Sequence, residues 1–218
     1  MTNLKEYYNI EIKKQLKKLF GYKNNFQIPK VTKVSVNIGS GTAKDSADQL
    51  KTLISELSMI SGQKPRTNKS RKSISGFKLR EGQIVGLNVS LRNQRMYDFL
   101  LRLVSVALPR IRDFRGLSEN SFDKDGNFSI GIKEHTIFPE IKYDSARESF
   151  GMQINITIKA KNISEAKKLL ELFGFPFSKN IIREKTLLQP KSEIVKNNED
   201  FEKVVSVKNN DILPKAKE

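Results

Sequence analysis

The stretch VTKVSVNI, residues 31–38, alternates: Val34, Val36 and Ile38 fall on one side, Lys33, Ser35 and Asn37 on the other. A period of two sends successive side chains to opposite faces of a pleated strand, so this is a strand with one buried and one open face. Two longer stretches read the same way. In QIVGLNVSLR (83–92), Val85, Leu87, Val89 and Leu91 point inward and Gly86, Asn88, Ser90 and Arg92 outward. In GMQINITIKAK (151–161), Met152, Ile154, Ile156 and Ile158 point inward and Gln153, Asn155, Thr157, Lys159 and Lys161 outward. FSIGI (128–132), after a turn at Asp125-Gly126, is a fourth strand.

Between the strands the period changes to that of a helix. Leu4, Tyr8, Ile12, Leu16, Leu19 and Phe20 mark one face of a helix over 2–20, stopped at Gly21. Leu50, Leu53, Ile54, Leu57 and Ile60 mark a second over 47–61, ended by Gly62. Met96, Phe99, Leu100, Leu103 and Ala107 mark a third from about Gln94 to Leu108, closed by Pro109. A last helix is capped by Asn162 or Ser164 and runs to Phe173, before Gly174 and Pro176. Antiparallel strands that show one apolar face to helices and leave the other open make an α+β fold.

Residues 179–218 keep neither period and hold one aromatic, Phe201. The expected organisation is therefore a folded domain over 1–178 and a C-terminal extension over 179–218, an irregular tail of low complexity or partly disordered in isolation. The chain of 218 residues carries 40 Lys and Arg against 24 Asp and Glu, a net +16. Its pI is near 9.9. The extension has nine basic and seven acidic residues, a net +2, which leaves +14 on residues 1–178. Such a charge repels itself and attracts polyanions: nucleic acid first, an anionic membrane surface second.

The charge is concentrated in GQKPRTNKSRKSISGFKLREGQ (62–83), where Lys64, Arg66, Lys69, Arg71, Lys72, Lys78 and Arg80 accompany one acid, Glu81. The outward strand positions are also almost free of acid. Ser, Asn and Gln there can bond phosphate and ribose oxygens, and Lys and Arg supply charge. A solvated sheet face would show similar residues, but the basic stretch and the +14 tip the reading to RNA. The face lacks the aromatic pairs of single-strand binders, so the expected partner is folded RNA read by shape and backbone. Phe77, between Gly76 and Gly82, either presses on RNA or anchors its own loop.

Enzyme readings fail on their chemistry. NIGSGTAKDSAD (37–48) has a dinucleotide-loop look, but Lys44 stands where the third glycine belongs. No Walker-type loop is present. The chain has no Cys, which excludes thiolate zinc and a cysteine nucleophile, and His135 is its only histidine. His135 reads as structural or as a surface contact. Asp123 and Asp125 have the wrong spacing for a calcium loop and read as a hairpin turn. No catalytic residue, metal or cofactor is expected. No apolar leader and no run of ~20 apolar residues is visible, so neither a signal peptide nor a membrane span is expected. The competing class is a general polyanion or membrane-surface binder using Lys13, Lys14, Lys17 and Lys18 of the first helix, although the apolar stripe of that helix is more simply core-facing.

LPRIRDFRGLSENSFDKDGNFSIGIKEHTIFPEI (108–141) closely resembles the L-five family of large-subunit ribosomal proteins, the bacterial type that binds 5S rRNA. RKSISGFKLREGQIVGLNVSLR (71–92), RMYDFLLRL (95–103), PKVTKVSVNIG (29–39) and GFPF (174–177) resemble it too, in the family's order. The resemblance implies a curved antiparallel sheet with helices on one side, and a cytoplasmic place on the ribosome, in the central protuberance of the large subunit. It implies 5S rRNA and adjacent 23S rRNA as partners, with Lys33, Ser35, Asn37, Gly39, Gly41, Gln63, Arg66, Asn68, Lys69, Arg71, Asn88, Ser90 and Arg92 as the 5S rRNA contacts. It implies a loop reaching peptidyl-site tRNA: Lys72, Ser73, Ile74, Ser75, Gly76, Phe77, Lys78 and Arg80. It implies a bridge to a small-subunit head protein through Arg112, Arg115, Glu134, His135 and Lys142, besides neighbouring large-subunit proteins. Two departures stand out. The family stops soon after GFPF, so the extension is extra, and Asn93-Gln94 replaces a glycine-containing turn.

Overall fold

Five strands form one open sheet: β1 (Lys30–Gly39), β2 (Arg66–Lys69), β3 (Ile84–Leu91), β4 (Phe128–Ile132) and β5 (Met152–Lys159). The computed structural model describes residues 3–40, 47–141 and 150–178; Gly41, Lys142 and the extension 179–218 lie outside the described residues. The strand order is β2-β3-β1-β5-β4, and every neighbouring pair is antiparallel. The fold is α+β, as the alternation of 31–38, 83–92 and 151–161 requires.

The inward positions of the strands join one hydrophobic core with the helices. Val34, Val36, Ile38, Leu87, Val89, Leu91, Ile154, Ile156 and Ile158 are all buried. A bulge between Val31 and Lys33 shifts the β1–β5 register, so that Val31 is also buried. Val85 keeps the inward parity but is 39% exposed, at the start of β3.

Helix α1 spans 4–20, with a π-helical turn at Tyr8–Ile12 between α-helical Leu4–Tyr7 and Lys13–Phe20. Its buried residues, Leu4, Tyr8, Ile12 and Leu16, are four apart. In a regular helix a strict four-residue repeat drifts around the axis, and the wider π turn takes up part of that drift. Leu19 and Phe20, expected on the same face, are 60% and 38% exposed. Helix α2 is Ala47–Ser61 and buries Leu53, Leu57 and Ile60. Helix α3 is Asn93–Arg102, continued by a π turn at Leu103–Ala107 and a 3-10 turn at Leu108–Arg110 that contains Pro109. Met96, Phe99, Leu100, Leu103 and Ala107 are buried along it. Helix α4 is Ile163–Leu172, with Asn162 at its N-cap. The Asn162 side chain makes no capping bond there; instead Glu165 Oε2 accepts from the Lys161 N–H at 3.1 Å.

The sequence did not announce β2. Arg66-Thr67-Asn68-Lys69 has no apolar alternation, yet it forms the sheet edge by pairing with β3: Arg66 with Asn88, Thr67 with Leu87, Asn68 with Gly86. At Gly86 strands β3 and β1 come close, since a Cβ there would lie 2.8 Å from the Ile38 carbonyl oxygen.

Candidate nucleic-acid interface

Register turns the outward residues of separate strands into rows. One row runs Arg66, Asn88, Asn37, Gln153, Gly131 across all five strands. The next runs Ser90, Ser35, Asn155, Ser129. Neither row contains an acid. Asn88 Nδ2 donates to Asn37 Oδ1, which fixes both amides in the middle of the face. Near the start of β1, Lys33 and Arg92 share a groove with Thr32 and Thr157, and the Thr32 hydroxyl donates to the Thr157 carbonyl at 3.1 Å. The open face thus gathers Lys33, Ser35, Asn37, Asn88, Ser90, Arg92, Arg66 and Asn68 in one surface, with Gly39 exposed at the end of β1.

Gln63 sits where α2 turns into β2. The Ser61 hydroxyl donates to the Leu57 carbonyl at 2.7 Å and accepts from the Gln63 N–H at 3.3 Å, and Gly62 takes a positive φ of 66°. Pro65 is buried just before Arg66. Arg66, Thr67, Asn68, Lys69 and Arg71 line one shallow depression along the sheet edge. Gln153, Asn155 and Thr157 of β5 belong to the same face. Their alternation was legible, but their place beside β1 required the register.

Residues 70–83 extend the β2–β3 pair as a built arm. The Ser70 N–H donates to the Gln83 carbonyl at 2.8 Å and the Gly82 N–H to the Ser70 carbonyl at 3.0 Å. Farther out, the N–H groups of Ile74 and Leu79 donate to each other's carbonyls at 3.0 and 3.1 Å around a 3-10 turn at Ser75–Phe77. Lys78 closes that turn with φ 50°. The Glu81 N–H donates to the Ser73 hydroxyl at 3.0 Å. Lys72, Ser73, Ile74, Ser75, Gly76, Phe77, Lys78 and Arg80 are all exposed, and Phe77 is 69% so. Among the described residues, none of the seven basic side chains of 62–83 is in an ion pair.

The third group separates. Arg112 and Glu134 line a cleft with Arg110, Lys133 and Thr136, and exposed Arg115 lies on the neighbouring segment beside β4. His135 is different: it is 1% exposed, so a surface contact through its side chain is corrected to an interior one. Its Nδ1 accepts from the Phe150 N–H at 3.1 Å, and its Nε2 lies 3.1 Å from Glu56 Oε2 on α2. Lys142 falls outside the described residues.

Asn93 has φ 52°. That left-handed conformation favours glycine and tolerates asparagine, which accounts for the departure noted at this turn.

Residues 24–80 match the family model described as "Ribosomal protein L5", and residues 84–177 match the model of that family's C-terminus. The chain is 50% identical over 179 residues to "Large ribosomal subunit protein uL5" of Caldanaerobacter subterraneus subsp. tengcongensis, covering 82% of this chain and 100% of the relative. It is 49% identical over 177 residues to the protein of the same name from Desulforapulum autotrophicum, covering 81% of this chain and 99% of the relative. The uL5 of Geotalea daltonii gives the same identity and the same coverage. The relatives leave the last 40 residues of this chain unaligned. Over the length they share, the chain belongs to the ribosomal protein L5 family.

Proposed function

We propose that this protein holds 5S rRNA, with adjacent 23S rRNA, against its open sheet face in the central protuberance of the large ribosomal subunit. In this reading the arm at 70–83 reaches peptidyl-site tRNA. Arg112, Arg115 and Glu134 meet a small-subunit head protein, and other surfaces meet neighbouring large-subunit proteins. Residues 1–178 act as the RNA-binding domain, and 179–218 as an extension to it. Family membership makes the chain a ribosomal protein of the large subunit rather than an enzyme.

One observation carries the reading. Rows of Ser, Asn, Gln, Arg and Lys without an acid run across the face, beside an arm whose cations form no ion pair among the described residues. Amides and hydroxyls on a fixed register suit the ribose and phosphate of a structured RNA, and the cations displace its counterions. A membrane-surface reading has less support, because Leu4, Tyr8, Ile12 and Leu16 of the α1 stripe are buried in the core. The test is binding of the full chain to 5S rRNA with Asn37→Ala and Arg66→Ala combined. Each lost bond to a charged group should weaken binding by ~1.5–3 kcal/mol. Wild-type affinity in that variant would remove the open face from the account.

A further inference from the structure

A second acid-free stretch is left over by the open face and the arm. Residues 12–30 hold Lys13, Lys14, Lys17, Lys18, Lys23 and Lys30 and no Asp or Glu. The core takes Leu4, Tyr8, Ile12 and Leu16 of α1, so Lys14, Lys17 and Lys18 stay exposed on the rest of its circumference, and Lys23 is exposed just beyond it. The helix stops at Gly21, with φ 64°, and the chain turns back through a 3-10 turn at Asn25–Gln27 before β1. That turn is braced. Asn24 Oδ1 accepts from the Phe26 N–H at 3.0 Å, Lys17 Nζ donates to Asn25 Oδ1 at 3.2 Å, and the Tyr8 hydroxyl donates to the Pro29 carbonyl at 2.9 Å. At its centre Phe26 is 90% exposed, more than any other large hydrophobic side chain among the described residues.

We propose that this turn is a second RNA contact, in which one unpaired nucleobase stacks on Phe26 while Lys17, Lys18 and Lys23 hold the flanking phosphates. The proposal rests on the reading that the chain binds RNA, but not on the open face. The turn precedes Lys30 at the start of β1, whereas the arm leaves beyond the pairing of Gly39 with Gly86 at the other end. Charge decides the class of partner: a run of lysines with no acid between residues 12 and 30, beside an exposed aromatic side chain, complements a polyanion that carries planar bases. A lipid surface calls for a continuous apolar face on an amphipathic helix, whereas α1 turns Leu4, Tyr8, Ile12 and Leu16 into the core and leaves exposed only the end of its stripe, Leu19 and Phe20. The Phe26 side chain is presented between the exposed residues Asn25 and Gln27.

The chain contains no Trp, so Phe26→Trp in the full-length protein gives a single fluorescent reporter at the site. With 5S and 23S rRNA purified from large subunits, its emission should be quenched at saturation. The quenching should persist when Asn37→Ala and Arg66→Ala are added, which separates this site from the open face. Phe26→Leu keeps an apolar side chain but removes the π face. It should weaken rRNA binding about 5- to 150-fold, the equivalent of ~1–3 kcal/mol for one base on an aromatic ring, without changing Tm. Lys17→Ala, Lys18→Ala and Lys23→Ala together should lower the slope of log affinity against log salt by about 2–3. Unquenched emission at saturating rRNA, or wild-type affinity in Phe26→Leu, overturns the proposal. A blue shift with phosphatidylserine–phosphatidylcholine vesicles and none of these effects with rRNA reassigns the turn to a membrane surface.

Discussion

His135 Nε2 lies 3.1 Å from Glu56 Oε2, and both side chains are buried. Because Nδ1 accepts from the Phe150 N–H, the remaining proton of a neutral imidazole sits on Nε2 and faces the carboxylate. The pair ties α2 to the segment after β4 and to the residue leading into β5. Neither Nε2 nor Oε2 has another partner among the described residues. Removing one side therefore strands the other. His135→Ala should destabilise the fold by ~1–3 kcal/mol, measured by urea denaturation.

The same pair makes stability depend on pH. Burial, the larger influence, raises the Glu56 carboxyl above its ordinary 4.5, and His135 pulls it back only in part. The folded protein then holds the Glu56 proton more tightly than the unfolded chain does. That contribution is whole below pH 4.5 and is lost as pH rises through the raised native value. Glu56→Gln keeps the neutral shape and cannot titrate. The Tm of the wild type minus that of Glu56→Gln should fall as pH is raised from 4.5, and a difference flat across calorimetric scans from pH 4.5 to about 8 would contradict this.

Gly86 sets how closely β3 and β1 approach. A Cβ there meets the Ile38 carbonyl oxygen at 2.8 Å, backbone against side chain, with no flexible group to give way. Gly86→Ala should cost ~1–3 kcal/mol in chemical denaturation, the range for forcing an atom into a filled space. It should also weaken RNA binding, because Asn88 and Asn37 depend on the same ladder. An alanine variant as stable as wild type would show that the strands separate at little expense.

Asn93 offers a test in the opposite direction. At φ 52°, alanine would carry the left-handed strain of ~1–2 kcal/mol that asparagine tolerates better and glycine avoids. Asn93→Ala should destabilise by that order, while Asn93→Gly should match or exceed the wild type. If both variants melted together below it, the asparagine side chain rather than the backbone would be deciding.

Where the apolar pattern was strong, the fold was legible. Val34, Val36 and Ile38 fixed a face because a one-residue slip would expose all three. Helix α2 begins and ends where its stripe and Gly62 put it. Arg66-Thr67-Asn68-Lys69 was not legible, since an edge strand that buries little carries no alternation and is defined by its partner. Leu19 and Phe20 fit the helical period but stay outside, because the period says which side a residue takes and not whether the core extends that far. The candidate site divides in the same way. Which residues point outward could be read strand by strand. That Arg66, Asn88, Asn37 and Gln153 form one row depended on register, and that His135 finds Glu56 depended on tertiary packing.

The arm provides the sharpest separation of roles. Lys72, Lys78 and Arg80 are exposed on a hairpin extension held by its own backbone bonds, and none is in an ion pair among the described residues. Replacing all three by Ala should leave Tm unchanged, because no ion pair among those residues depends on their charge. If the arm reaches tRNA and the face holds 5S rRNA, the triple variant should keep wild-type affinity for 5S rRNA. It should also weaken retention of peptidyl-site tRNA on reconstituted ribosomes. Three lost phosphate contacts should lower the slope of log tRNA affinity against log salt by about 2–3. A variant that lost 5S rRNA and kept tRNA would exchange the two surfaces, since charge placed on the arm would then be serving the RNA assigned to the sheet.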